Sequence, residues 1–282
     1  MRPGSIVLLS AGAMTAFASN SLLCRAALAD GSIDAVSFTS IRLATGAAAL
    51  LLLARGRGDG GGWIAASALA AYAFAFSIAY LRLPAGAGAL ILFGTVQTTM
   101  IGSGVWRGER PRALEWAGLA VAFGGLVALT RPGATAPDPL GAALMAAAGA
   151  AWTVYTLRGR GVADPLRANA GNFARSIAFA LLALAIATAA GGRFHASARG
   201  AVLAAASGAL ASGVGYALWY AALRGLTGTR AAIVQISVAP LAALGGVAFL
   251  GETLTLRLVV SGAVILGGIA LAVNPRRPDR LK

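Results

Sequence analysis

The chain has 282 residues, of which 58% are hydrophobic and only 11% are charged, and its mean hydropathy is +0.78. A soluble domain carries about a quarter of its residues as charged side chains, so the composition excludes an ordinary soluble protein and predicts a chain lying almost wholly in a membrane. The net charge of +14 would suggest nucleic-acid binding in a soluble protein. Here the arginines stand at the ends of apolar segments, where they set topology and contact lipid headgroups.

Ten apolar segments come close to the roughly 20 residues that a membrane-spanning helix needs. They are residues 5–24, 34–54, 63–82, 85–106, 113–130, 139–158, 168–190, 200–223, 229–250 and 256–273. The connections are short and rich in turn residues and arginines, and none is long enough for a soluble domain. We therefore predict an all-α integral membrane protein with ten transmembrane helices.

Basic residues are unequally divided between the two sides of this topology. The side with both termini carries 15 Arg or Lys residues and the other carries six, while Arg42 and Arg175 lie within spans. By the positive-inside rule, both termini are predicted to be cytoplasmic.

An internal repeat divides the chain in half. At an offset of 143 residues the following positions match: Gly108-Glu109 with Gly251-Glu252, Gly124-Gly125 with Gly267-Gly268, Pro132 with Pro275, and Gln97 with Pro240. We predict two five-helix repeats, residues 1–134 and 135–282. Five is odd, so the second repeat enters the membrane from the opposite side, and inverted repeats around a central cavity suit alternating access.

Ionisable groups are scarce where a coupled carrier usually needs them. All nine acids lie in loops or at span ends, which argues against a simple carboxylate proton relay at the middle of the membrane. Glu109 and Glu252 occupy matched positions and are candidates for coupling groups. The alternative is that each ends its span and pairs with a neighbouring basic group or the backbone.

Arg42 and Arg175 begin similar apolar stretches within their spans. Arg42 lies eight residues after Asp34, about 12 Å along a helix, so its long side chain can reach back to the interface. We expect this snorkelling arrangement, and the alternative is an electrostatic role in substrate attraction or gating.

Polar and aromatic residues within spans are better candidates for a binding site, because a buried amide in lipid must find partners or water. Spans one, three, four, six, eight and nine carry them, with Tyr72 and Phe76 among the residues of span three. The predicted substrate-binding residues are Asn20, Ser77, Tyr80, Gln97, Thr98, Trp152, Tyr155, Tyr216, Trp219, Gln235 and Ser237. Each of them also has a purely structural interpretation as helix packing or, for Tyr80 and Trp219, as interfacial aromatic residues.

Proline and glycine mark the predicted moving parts. Pro240 leaves the carbonyl of Ile236 without its helical donor, and that carbonyl could face a ligand ammonium. We expect motion to centre on Gly102, Gly104, Pro240, Gly245 and Gly246. Neither a metal site nor a catalytic constellation is visible, and we predict no cofactor and no enzyme activity.

These features together resemble the drug/metabolite transporter superfamily, specifically its EamA-type ten-span proteins. The resemblance rests on the Gly-Glu ends of spans four and nine, the paired glycines of spans five and ten, and Pro240. Residues 83–111, LPAGAGALILFGTVQTTMIGSGVWRGERP, are similar to the aromatic amino acid exporters of the YddG type. Gln97, where the second half has Pro240, makes the two halves unequal.

The resemblance implies a basket of helices around a central cavity formed by spans one, three, four, six, eight and nine, with spans five and ten outside. It implies export of aromatic and other neutral amino acids, with broad specificity, across the bacterial inner membrane by a protein that we expect to be monomeric. The partners would be small-molecule substrate and lipid bilayer, without nucleic acid. The alternatives are a carrier for another metabolite or drug, an intramembrane enzyme, and a structural or regulatory membrane subunit.

Overall fold

The computed structural model describes residues 3–106, 108, 113–133, 136–159, 162–226 and 234–273. Within these residues the chain is a bundle of helices, and the only extended pairing is an isolated bridge between Ile33 and Ala196. Glu109, Arg230 and the basic C-terminal residues, on which parts of the repeat and orientation predictions depend, lie outside the described residues.

The helices follow the predicted apolar segments closely. They are α1 (Pro3–Ala29), α2 (Ala35–Leu53), α3 (Trp63–Tyr80), α4 (Ala85–Trp106), α5 (Ala113–Thr130), α6 (Pro139–Arg158), α7 (Pro165–Ala189), α8 (Ala198–Leu223), α9 (Val234–Leu250) and α10 (Leu256–Val273). The first eight are long and apolar enough to cross a membrane, and α9 and α10 are shorter apolar helices in the described part of the chain. The protein is therefore an all-helical, multi-pass membrane protein.

Two helices depart from regular α geometry. The middle of α8, Ser207–Val214, is a π-helix, a rare form that often occurs at functional sites. In α9, Ser237 forms a turn between residues 234–236 and the regular helix Val238–Leu250. Pro240 explains this break, because it has no N–H to donate to the carbonyl four residues earlier.

Acidic and hydroxyl side chains begin four of the helices. Asp34 accepts hydrogen bonds from the backbone of Val36 and Ser37 at the start of α2. Asp138, Asp164 and Ser197 cap α6, α7 and α8 in the same way. Carboxylates are stabilised at helix N-termini by the free backbone donors and the helix dipole, which explains why these acids stand at span ends.

Helix pairs recur across the two halves of the bundle. The packing of α3 on α6 has a counterpart in α1 on α8, that of α4 on α6 in α1 on α9, and that of α3 on α7 in α2 on α8. Helices α2 and α7, α4 and α9, and α5 and α10 pack directly on one another.

Helices α5 and α10 form a separate pair at the side of the bundle, where α4 is their main neighbour. Glycines permit their backbones to approach closely: a Cβ on Gly125 would lie 2.9 Å from the Ile265 side chain, and one on Gly268 would collide with the backbone of Ala122. Small residues at crossings are the usual means by which membrane helices pack.

Candidate substrate-binding site

A small cavity of about 20 Å³ lies at the centre of the bundle. Its lining residues come from α1, α3, α4, α6, α8 and α9, the six helices that the family resemblance implies. They are Phe17, Asn20, Ser21, Tyr72, Phe76, Leu92, Phe93, Trp152, Tyr216 and Gln235. Four of them, Asn20, Trp152, Tyr216 and Gln235, are among the predicted substrate-binding residues.

Aromatic rings form most of the cavity wall. The ring of Trp152 lies 4.8 Å from Tyr72 and 5.4 Å from both Tyr155 and Tyr216, measured between centroids. Tyr72 is in turn 5.3 Å from Phe76. Rings at these spacings attract one another, so the wall is a connected cluster spanning α3, α6 and α8.

Polar groups meet the aromatic wall at two places. On one side the hydroxyl of Ser207, in the π-helix, donates to the amide oxygen of Asn20. On another, Gln235 lines the cavity in the short segment before the break in α9. The carbonyl of Ile236, next along the chain, lacks its regular helical donor because of Pro240.

Three predicted site residues lie behind the cavity wall and have bonds within the scaffold. Ser77 is buried in α3 and accepts a 2.8 Å hydrogen bond from Thr39 of α2. Tyr80 is buried and its hydroxyl donates to the carbonyl of Ala85. Thr98 donates to the carbonyl of Gly94 in its own helix. The first two bonds join neighbouring helices, and the third lies within α4.

Four further predicted residues are also outside the cavity lining. Tyr155 donates to Asn169 while its ring extends the aromatic cluster. Trp219 packs edge-on against Phe17, 6.1 Å between centroids. Gln97 is buried in α4, and Ser237 donates to the carbonyl of Val234 across the break in α9.

The predicted gating glycines have different surroundings. A Cβ on Gly245 would collide with Leu22 of α1, and one on Gly246 would collide with the carboxylate of Glu252. Gly104 is buried in α4, whereas Gly102 is exposed and has open space where a Cβ would stand. Close packing at α9 therefore depends on the glycine pair 245–246.

The prediction that Arg42 snorkels to the membrane interface is wrong. Its side chain is only 1% exposed and points inward. Its Nη2 donates to the hydroxyl of Tyr72 at 3.1 Å, and its Nε lies 3.4 Å from the hydroxyl of Ser212 in the π-helix. The physical reason is that polar and aromatic partners are available inside the bundle, so the guanidinium need not travel to the interface.

At one end of the bundle, where α1 ends and α4 begins, Glu252 contacts several helices. Both of its carboxylate oxygens lie 2.9 Å from the backbone nitrogen of Ala85, and one lies 3.5 Å from Nε of Arg25. Arg25 also donates to the carbonyl of Tyr80 at 2.8 Å. Glu252 therefore ends its helix and pairs with a basic group and the backbone, which joins α1, α3, α4 and α9.

The central cavity is much smaller than a typical ligand-binding site. A space of about 20 Å³ holds about one water, whereas sites for small organic ligands measure roughly 300–1,000 Å³. With the aromatic rings in these positions, the cavity is therefore too small for an organic ligand.

A larger groove of about 630 Å³ lies between α1, α8 and α9, towards the outside of the bundle. It is lined mainly by apolar residues, including Leu22, Leu210 and Phe249, with Arg199 at one end. Leu210 and Phe249 are also strongly exposed. Its position and composition suit contact with lipid chains better than binding of a polar solute.

Fold and site define a multi-pass helical membrane protein with a small aromatic cavity between its helices. Residues 139–274 match the sequence model of the EamA-like transporter family. The chain is also 52% identical, over 275 residues, to "Uncharacterized protein PA1977" of Pseudomonas aeruginosa, covering 96% of this chain and 95% of that protein. Residues 139–274 therefore form a domain of the EamA-like transporter family, which is part of the drug/metabolite transporter superfamily.

A solved structure, titled "Crystal structure of protein", shares the fold. It superposes with a TM-score of 0.67 at 21% sequence identity, covering 95% of this chain and 97% of that one. The family implies a small-molecule substrate and a bilayer as the protein's surroundings.

Proposed function

We propose that this transporter exports amino acids, aromatic and other neutral ones, from the bacterial cytoplasm across the inner membrane by alternating access. The observation that carries the proposal is the aromatic cluster of Tyr72, Trp152 and Tyr216, bordered by the amides of Asn20 and Gln235. Aromatic faces suit an apolar side chain, while amides and a free carbonyl suit the polar end of an amino acid.

Broad specificity follows from the same wall. One methylene more or less changes binding in an apolar pocket by only about 1–3 kcal/mol, so rings and aliphatic side chains would both be accepted. The carbonyl of Ile236 and the faces of Trp152 and Tyr72 are suitable partners for the substrate ammonium.

Alternating access is supported by the internal pairing of helices. Packing of α3 on α6 and α1 on α8, and the two similar pairs, are what two inverted five-helix repeats predict. In this proposal the repeats are residues 1–134 and 135–282, the ten helices all span, and both termini are cytoplasmic. The helix packing at Gly245 and Gly246 changes when the contacts of Glu252 at one end of the bundle break.

The test is counterflow with the full-length protein in proteoliposomes. Vesicles are loaded with unlabelled Phe, Trp, Thr or Met, and entry of radiolabelled amino acid is followed with and without a pH gradient. We expect saturable entry that is indifferent to the gradient, because every acid among the described residues lies in a loop or at a helix end. Gradient-dependent entry would point to Glu109 or Glu252 as a proton carrier.

Empty liposomes and vesicles without internal amino acid are the controls. No entry of any amino acid into vesicles that contain folded, monodisperse protein would refute the exporter proposal. The remaining reading would then be a carrier for another small metabolite or drug of the same superfamily.

A further inference from the structure

Arg42 is the most deeply buried charge in the described part of the chain. It lies on α2 at 1% exposure, and none of the four ion pairs among the described residues includes it. Its guanidinium carbon is 5.0 Å from the ring centroid of Phe76 and 5.3 Å from that of Tyr72. Both rings line the central cavity, so the charge sits directly behind the cavity wall.

Two donors at this place have no hydrogen-bond partner among the described residues. Nη1 of Arg42 and the hydroxyl of Tyr216 are both buried and make no hydrogen bond to the described residues. Leaving a buried donor unpaired is costly, and more so for a charged group in a membrane. Tyr216 itself lines the cavity, and it lies four residues after Ser212, whose hydroxyl is 3.4 Å from Nε of Arg42.

The rest of the guanidinium is held in place by the scaffold. Tyr72 accepts from Nη2, Ser212 lies against Nε, and the rings of Phe76 and Tyr72 stack beside it. An arginine held in this way, with Nη1 unpaired among the described residues, is a candidate receptor for a planar anion, since guanidinium donors match a carboxylate in a bidentate fashion.

We propose that Arg42, assisted by the hydroxyl of Tyr216, binds the carboxylate of the transported substrate when the aromatic wall opens. This inference rests on the proposed transport function and specifies it: the substrate must carry a carboxylate, so amines without one are excluded. The single positive charge of Arg42 is neutralised by a monocarboxylate, whereas a doubly charged phosphate would leave a net negative charge among apolar rings.

Competition in the counterflow assay tests the proposal. Entry of labelled Phe is measured against phenylalanine, 3-phenylpropionate, which lacks the ammonium, and phenethylamine, which lacks the carboxylate. The wild-type protein should be inhibited by phenylalanine and 3-phenylpropionate and little by phenethylamine. In Arg42→Gln, inhibition by 3-phenylpropionate should weaken about tenfold or more, the usual cost of losing a hydrogen bond to a charge, while that by phenethylamine should stay unchanged.

Arg175→Gln is the matched control. Arg175 also lies within a helix, but its guanidinium donates to the carbonyl of Gly60 in a loop, so this variant should keep the wild-type order of competitors. Tyr216→Phe, which removes one hydroxyl, should weaken inhibition by 3-phenylpropionate less than Arg42→Gln does. If Arg42→Gln cannot be purified in a folded form, the same competition is measured with Arg42→Lys and Tyr216→Phe, because both substitutions nearly keep the volume of the side chain.

A second readout does not require transport. Binding of 3-phenylpropionate should raise the Tm of the wild-type protein in detergent and should have little effect on Arg42→Gln. A wild-type protein that transports Phe but gives no response to 3-phenylpropionate in either assay would refute the carboxylate site and leave the exporter function standing. Unchanged competition in the Arg42 and Tyr216 variants, or selective competition by phenyl phosphate, would also overturn it.

Discussion

Gly246 links the packing of α9 to the contacts of Glu252 at one end of the bundle. A side chain at this position would occupy the space of the Glu252 carboxylate, which accepts from the backbone of Ala85 and pairs with Arg25. Glu252 itself follows Gly251, whose positive φ of 65° ends the helix in the left-handed conformation that glycine adopts readily.

We expect Gly246→Leu to slow transport several-fold without preventing folding. The leucine would push the carboxylate away from Ala85, and loss of such a helix cap costs about 0.5–2 kcal/mol. The measurement is the initial rate of counterflow together with the Tm of the purified protein. Gly124→Leu is the control, because a Cβ there meets open space. A well-folded Gly246→Leu protein that transports at the wild-type rate would contradict a gating role for this glycine.

The sequence predicted the types of side chain around the central cavity better than their positions. Asn20, Trp152, Tyr216 and Gln235 reach the cavity, whereas Ser77 turns towards α2. Position along a span gives depth in the membrane but not which neighbouring helix a side chain meets. Arg42 shows the same limit: snorkelling describes an isolated helix, and the partners that hold its guanidinium come from α3 and α8. The SGALASGVG stretch of α8, with small residues around two serines, was the available sequence signal that a helix could pack closely against Arg42.

The cap of α2 connects the turn after α1 with the start of α8. Asp34 caps α2 and also accepts from the backbone nitrogen of His195, beside the bridge between Ile33 and Ala196. Burial of the Asp34 carboxylate acts to raise its pKa, but the hydrogen bonds from Ser37, His195 and Val36 outweigh burial and lower it. A carboxylate with a lowered pKa stabilises the fold in its charged form.

The sign of this shift gives a pH prediction. The stabilisation by Asp34 is fully present above its unfolded pKa of about 3.9 and is lost as the pH falls through the lower folded value. We expect the Tm of the wild-type protein in a non-ionic detergent to fall on acidification below about pH 4, and to fall less steeply in Asp34→Asn. At neutral pH the two proteins should differ by less than about 1 kcal/mol, because asparagine caps helices nearly as well.

Asp59→Asn serves as the control, since Asp59 is exposed in the loop after α2. It removes one carboxylate of the chain without touching a cap, and its acid profile should match that of the wild type. Parallel acid profiles for Asp34→Asn and the wild-type protein would show that this cap does not contribute to acid sensitivity.

At the element scale, the sequence predicted where the helices lie, but it predicted only one of the two departures from regular α geometry. Apolar length located the helices to within a few residues, because a membrane leaves the backbone few other ways to satisfy its hydrogen bonds. Pro240 signalled the break at Ser237. The π-helix of α8 had no such signal, since Ser207–Val214 contains no proline, and its geometry is fitted to neighbours on α1 and α2 that the local sequence does not contain.

At the scale of the whole molecule, the contacts of α5 and α10 bear on the repeat. Gly125 packs on Ile265, and Gly268 packs on Ala122. Gly268 follows Gly125, and Ile265 follows Ala122, by the same 143 residues that separate the repeated motifs. Each contact is thus the other with the two halves exchanged, as a two-fold relation between the halves requires. This supports the proposal of two inverted repeats, which predicts that successive loops emerge on opposite sides of the membrane.

Chemical labelling of introduced cysteines tests that topology. The only native cysteine, Cys24, is buried, so Cys24→Ala provides a background without reactive thiols. Arg57→Cys and Arg193→Cys then place one cysteine in the loop after α2 and one in the loop after α7, both at exposed positions. With cytoplasmic termini, a membrane-impermeant maleimide should label position 193 in intact cells and position 57 in inverted vesicles. Labelling of both positions from one side would refute the alternating spans, and the reverse pattern would refute cytoplasmic termini, because the excess of basic residues would then lie outside.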